Sequence, residues 1–181
     1  MGDGSMIALL AYAALQAKDE LSLVTRKPVP YVSIRTKETM QSMSTVFPRL
    51  MPKIRKWAAE HHLTAGPDIL RFWHVDMQKE LDIEIGVEVD KVIKGEKEIL
   101  TGKIPGGQYA SLFHTGNFFN MVPQNAALQA WAKDQNLTFK MLKGDTFASR
   151  VEFYYTDPDK EPDANKWKSE VLYMVNPPKK K

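Results

Sequence analysis

Carboxylates and aromatic rings alternate along the extended stretches of this sequence. In Val151-Glu152-Phe153-Tyr154-Tyr155, a strand sends Val151, Phe153 and Tyr155 to one face and Glu152 and Tyr154 to the other. An earlier stretch sets Trp73 opposite Phe72 and His74. The last one groups Glu170, Leu172 and Met174 against Val171, Tyr173 and Val175. Its counterpart groups Glu84, Gly86 and Glu88 against Ile83, Ile85, Val87 and Val89. Glu84 and Glu170 thus leave the face opposite a β-branched one. A carboxylate among rings can hold a cationic ligand, with cation–π attraction adding about 0.5–2 kcal/mol per ring. It can also act as a general base on water. Burying it without a partner is costly, and a ligand's charge would offset that cost. For Glu84 a solvated or surface-paired carboxylate is the plainer reading.

The elements that carry these residues occur twice. One set runs from Pro30-Tyr31-Val32-Ser33-Ile34 through a helix bearing Trp57 to Asp82-Ile83-Glu84-Ile85-Gly86-Val87. The other runs from Gly107-Gln108-Tyr109-Ala110 through a helix bearing Trp131 to Ser169-Glu170-Val171-Leu172-Tyr173, an offset of about 74 to 86 residues. Phe47, Leu50, Met51, Ile54, Trp57, Ala58 and His61 form one helical stripe, and Met121, Leu128, Trp131 and Ala132 form its equivalent. Pro48 and Pro52 predict a regular helix that starts near one of them. Strands are predicted over 69–75, 83–92, 108–114, 149–156 and 168–175, with loops at 77–81 and 157–165. Trp57 and Trp131 read as wedges between helix and sheet. The fold class is α+β: a tandem β-α-β-β module with pseudo-twofold symmetry and a central ligand cleft. Residues 1–23 read as an apolar extension and 24–176 as the ligand-binding domain, with repeats over about 24–93 and 99–176. Residues 177–181 read as a basic tail.

Composition narrows the function classes. Lys+Arg number 25 and Asp+Glu 22, but three of the lysines are Lys179, Lys180 and Lys181, so the body is balanced and argues against a nucleic-acid surface. Zero cysteines exclude disulfide and thiolate chemistry. The apolar run Met6–Leu15 is shorter than the roughly 20 residues of a bilayer span. It reads as a short packing helix, with a shortened export signal or anchor as the alternative, and a cytoplasmic location is expected. No Gly-x-Ser-x-Gly, Walker, Gly-x-Gly-x-x-Gly or His-Glu-x-x-His motif is present. Pro105-Gly106-Gly107 reads as a tight turn into a strand. His61 and His62 diverge on a helix, so neither a metal site nor a cofactor is expected.

In order and spacing, several stretches resemble the GyrI-like family, the effector-binding domain found alone and fused to bacterial transcription regulators. They are Arg26 to Arg35, Gly66-Pro67-Asp68-Ile69-Leu70 into Asp82 to Val87, Pro105 to Ala110, and Tyr154-Tyr155-Thr156-Asp157-Pro158 into Trp167 to Val171. The resemblance implies two β-α-β-β modules around an aromatic-lined cavity, with a final-strand glutamate at its base. That glutamate would be Glu170, with Tyr154 as the strand tyrosine and Tyr109 as the aromatic after the glycines. Trp73, Phe113 and Glu84 complete the expected ligand-binding set. The implied function is binding of lipophilic, aromatic or cationic xenobiotics by a stand-alone member. One alternative is hydrolysis of cyclopropane-bearing DNA alkylators, with Glu170 as base and Tyr154 as hydrogen-bond donor. The other is a protein-interaction role such as topoisomerase modulation.

Overall fold

The computed structural model describes residues 19–119 and 121–177. In chain order the elements are β1 (Asp19–Arg26), β2 (Val29–Glu38), α1 (Met43–Glu60), β3 (Ala65–Val75), β4 (Leu81–Val89), β5 (Leu100–Ile104), β6 (Gly107–Thr115), α2 (Val122–Asp134), β7 (Arg150–Tyr154) and β8 (Lys168–Met174). The strands form one antiparallel sheet in the order β1-β6-β8-β7-β3-β4-β2-β5. The chain is therefore α+β, as its patterns predict. Both halves share one connectivity: β2-α1-β3-β4 gives the order β3-β4-β2, and β6-α2-β7-β8 gives β7-β8-β6. The strand preceding each unit crosses to the other half, β1 pairing with β6 and β5 with β2.

That exchange dictates the shape of the sheet. Only Lys27 and Pro28 join β1 to β2, and only Pro105 and Gly106 join β5 to β6. On a flat sheet β1 and β2 would stand about 29 Å apart. A two-residue link spans about 11 Å. The sheet must curl until its ends approach, and the two links then cross. A Cβ on Gly106 would lie 2.8 Å from Pro28 Cδ, so glycine is required where they pass. The curl encloses a core of Tyr31, Ile69, Tyr109, Val151, Phe153 and Leu172, all buried, which unites strands from opposite ends of the sheet order.

The alternate residues of the same strands meet the helices. Val32, Ile34, Leu70, Ile83, Ile85 and Val87 pack against Val46, Met51, Ile54 and Trp57 of α1. Ala110, Leu112, Val171 and Tyr173 pack against Leu128 and Ala132 of α2. Trp57 is the expected buried wedge, stacked on the His61 ring at 4.0 Å, whereas Trp131 is only partly buried. Two boundaries differ from the sequence reading. β1 begins at Asp19, inside the stretch read as an extension. α1 begins at Met43, so Pro48 and Pro52 lie inside it. Both prolines are exposed, and water can take the carbonyls that lose their helical donors. Met6–Leu15 and the terminal lysines lie outside the described residues. Among the described residues no helix is long and apolar enough to cross a membrane.

Candidate ligand-binding site

The two helices leave a strip of sheet between them. α1 rests mainly on β2 and β4, and α2 on β6 and β8. The central pair, β3 and β7, sets Leu70 opposite Glu152 and Phe72 opposite Arg150. A groove of about 300 Å³ opens above this pair, at the lower end of small-ligand pocket sizes. Met40, Met43 and Met77 border it from one half, and Phe118, Phe119 and Met121 from the other. Phe118 is buried 5.0 Å from the Tyr154 ring and 4.7 Å from Trp167. Phe119 is 78% exposed and stands edge-on to Trp167 at 5.2 Å. The Phe47 ring meets Tyr154 edge-on from α1 at 6.0 Å. Unbranched thioethers and rings make an adaptable apolar wall.

The floor of the groove is polar and almost closed to solvent. Glu152 is 3% exposed. Its Oε1 accepts from Asn125 Nδ2 at 2.8 Å, and its Oε2 accepts from the Tyr154 hydroxyl at 2.5 Å. No cation forms an ion pair with it among the described residues. Asn125 is oriented by the rest of the network: its Oδ1 accepts from Tyr173 at 2.8 Å and from Arg150 Nη2 at 3.1 Å. The Arg150 guanidinium lies over the rings of Phe72 at 4.3 Å and Tyr173 at 4.9 Å. Burial, reinforced by the negative charge of Glu152, holds the Tyr154 hydroxyl well above the usual tyrosine pKa, so it stays a proton donor. One acceptor pole and one donor pole thus lie beneath an aromatic cleft.

Of the six residues expected from sequence, only Tyr154 reaches this groove. The other five stand on the opposite face of the sheet, where the curl packs the interior with side chains. Tyr109 is wholly buried there and donates to Pro105 O at 2.6 Å. Glu170 is buried, accepts from Ser111 and Tyr155 at 2.6 Å each, and is ion-paired to Arg26. The premise of an unpartnered carboxylate therefore fails at Glu170, because β1 supplies its counter-charge. Tyr154 points away from it; the hydroxyl beside Glu170 is that of Tyr155, one residue on. Phe113 lies across the strand pair from Glu170, its ring 6.0 Å from Tyr155.

Glu84 is also buried but is held, among the described residues, by hydrogen bonds alone: Ser33 donates to it at 2.9 Å and Trp73 Nε1 at 2.6 Å. The Trp73 ring already meets two cations, with the Arg71 guanidinium 3.9 Å and the Arg35 guanidinium 4.6 Å from its centre. These Ser–Glu–aromatic sets brace the strands of each half. Glu152 is the residue that sequence reasoning passed over. Its signal was present, since alternation puts it on the same face as Tyr154.

The model of one family, described as the GyrI-like small molecule binding domain, matches residues 19–175. The chain belongs to the GyrI-like family. Solved structures share its fold at low identity. EcmrR in a DNA complex superposes with a TM-score of 0.72 at 17% identity, over 94% of this chain and 65% of that one, so this chain spans about two thirds of EcmrR's length there. The EcmrR C-terminal domain alone gives 0.71 at 19% identity, over 87% of this chain and 98% of that one. SAV2435, solved bound to tetraphenylphosphonium, gives 0.56 at 14% identity, over 87% and 94%. A hydrolase encoded by lin2189 from Listeria innocua gives 0.54 at 12% identity, over 94% and 97%. Among the curated proteins, none matches this sequence. Small-molecule binding is thus the family's trait.

Proposed function

We propose that this GyrI-like domain binds lipophilic aromatic small molecules, cations among them, in the groove between α1 and α2. One observation carries the reading. Glu152 is a buried carboxylate without an ion pair among the described residues, at the floor of a cleft walled by Phe118, Phe119, Tyr154 and methionines. A flat ligand can slide between the rings and methionines and set a cationic or N–H group against Glu152. On the opposite face Glu170 is neutralised by Arg26, and the buried carboxylate of Glu84 is taken up by Ser33 and the Trp73 indole, whose ring is itself covered by Arg71 and Arg35. The ligand-bound SAV2435 supports the choice of probe. Tetraphenylphosphonium titrated calorimetrically should bind the wild type and bind Glu152→Gln more weakly by about ten- to a hundredfold, the scale of one interaction with a charged group. Glu170→Gln should bind as the wild type does. Affinity that survives Glu152→Gln but not Glu170→Gln would move the site to the other face.

Hydrolysis is the second reading, favoured by the 2.5 Å contact between Glu152 and Tyr154, a carboxylate beside a persistent proton donor. Oε1, shared only with Asn125, would take the proton from water. Incubation with a cyclopropane-bearing alkylator separates the two. Ring-opened product that disappears in Glu152→Gln speaks for catalysis, and binding with intact recovery speaks for sequestration.

A further inference from the structure

The groove holds a second charged group that small-cation binding does not use. Arg150 lines it, 8% exposed, two residues before Glu152 on the same face of β7. Its neighbours leave it short of acceptors. Nη2 donates to Asn125 Oδ1 at 3.1 Å, and Nε is buried with no hydrogen-bond partner among the described residues. Around them stand the rings of Phe72, Tyr173 and, at 5.4 Å, Phe147, and the guanidinium also acts on the Tyr173 hydroxyl. A guanidinium carries five N–H donors in a planar fork that matches carboxylate, sulfonate and carbonyl oxygens. Here that fork is placed by aromatic stacking and by Asn125, and it is not paired to a carboxylate among the described residues.

We infer that Arg150 is an acceptor-binding pole of the groove. The ligand would then be an aromatic molecule with a hydrogen-bond donor or cation at one end and an oxygen acceptor or oxyanion at the other. This inference rests on the groove being the ligand site. Arg150 and Glu152 stand two positions apart on β7, about 7 Å between their Cα atoms, a spacing that a bicyclic core with a polar group at each end can match. Asn125 ties the poles together, its amide nitrogen on Glu152 and its amide oxygen on Arg150. A ligand that met only the Glu152 pole would leave the Arg150 donors buried and unanswered, which disfavours it relative to one that meets both. The groove therefore selects bipolar molecules, with a donor or cation at one end and an acceptor or oxyanion at the other, over simple lipophilic cations or simple hydrocarbons.

A matched pair of fluorescent probes tests this. 6-(p-Toluidino)naphthalene-2-sulfonate carries an aryl N–H and a sulfonate at opposite ends of its naphthalene, and N-(p-tolyl)-2-naphthylamine lacks only the sulfonate. The wild-type protein should bind the sulfonate roughly tenfold or more tightly than the parent amine, the scale of a hydrogen bond to a charged group. Arg150→Met should abolish that ratio, and Arg150→Lys should retain part of it. Tetraphenylphosphonium should compete with both probes. Equal wild-type affinities for the two probes, or a ratio unchanged in Arg150→Lys and Arg150→Met, overturns the inference while leaving the groove as the site. Should Arg150→Met not fold, the wild-type ratio and Arg150→Lys still decide. Failure of every probe to bind would remove the groove reading and this inference together.

Discussion

Replacing Glu170 with alanine should unfold the protein sooner without loosening its ligand. The side chain is 3% exposed and accepts from Ser111, itself 2% exposed, so truncation strands a buried hydroxyl at a cost of about 1–3 kcal/mol. Arg26 loses its partner as well, but its side chain is 39% exposed, which limits that part to about 0–1 kcal/mol. Tyr155, at 40% exposure, can turn its hydroxyl to water at little cost. The sum is about 1–4 kcal/mol, or a fall in Tm of roughly 2–16 °C for a domain of this size. Circular dichroism melts give the stability, and calorimetric titration of tetraphenylphosphonium well below both transitions gives the affinity. The Kd should stay within about twofold of wild type. A variant that melts like the wild type but has lost the ligand would refute the assignment of Glu170 to bracing and return it to the binding site.

Three further outcomes follow from named contacts. Phe119→Ala, at a side chain 78% exposed, should leave stability within about 0.5 kcal/mol yet weaken flat aromatic ligands several-fold, as titration of the two proteins would show; unchanged affinity would take Phe119 out of the groove wall. Gly86→Ala should be strongly destabilising, because a Cβ there would sit 2.3 Å from Val32 O in the neighbouring strand, and a urea midpoint equal to wild type would contradict that. Burial lifts the pKa of Tyr31, Tyr154 and Tyr155 above their unfolded value near 10. The folded state therefore holds these protons more tightly, and the stability present below pH 10 should decline as pH rises beyond it. A urea midpoint that climbs between pH 10 and 12 would show the opposite linkage.

Much of the fold was legible because strand and helix periods are local. Ile83, Ile85 and Val87 announce a buried face, and Leu128, Trp131 and Ala132 a helical stripe, and each lies where its period puts it. Alternation also separates Glu152 and Tyr154 from Phe153 and Tyr155, which is the division the structure shows. What alternation cannot say is which of two faces is filled. That depends on the exchange of β1 and β5 between halves and on links as short as Lys27-Pro28, contacts between residues some eighty positions apart in the chain. The curl they impose packs Tyr31 against the cluster of Tyr109 and Phe153, closing the face on which Glu170 stands. Arg26 reaches Glu170 only because β1 joins the sheet beside β6, and a strand start at Asp19 lay within what read as an extension. The same strand exchange curls the sheet away from α1 and α2, and the groove forms between them.

A crystal structure of the protein grown with tetraphenylphosphonium addresses the ligand site directly. Density for the phenyl rings between α1 and α2, beside Phe118 and Tyr154 and above Glu152, is the expected result. Density on the opposite face against Glu170 and Phe113, with the interhelical groove unchanged, would contradict it.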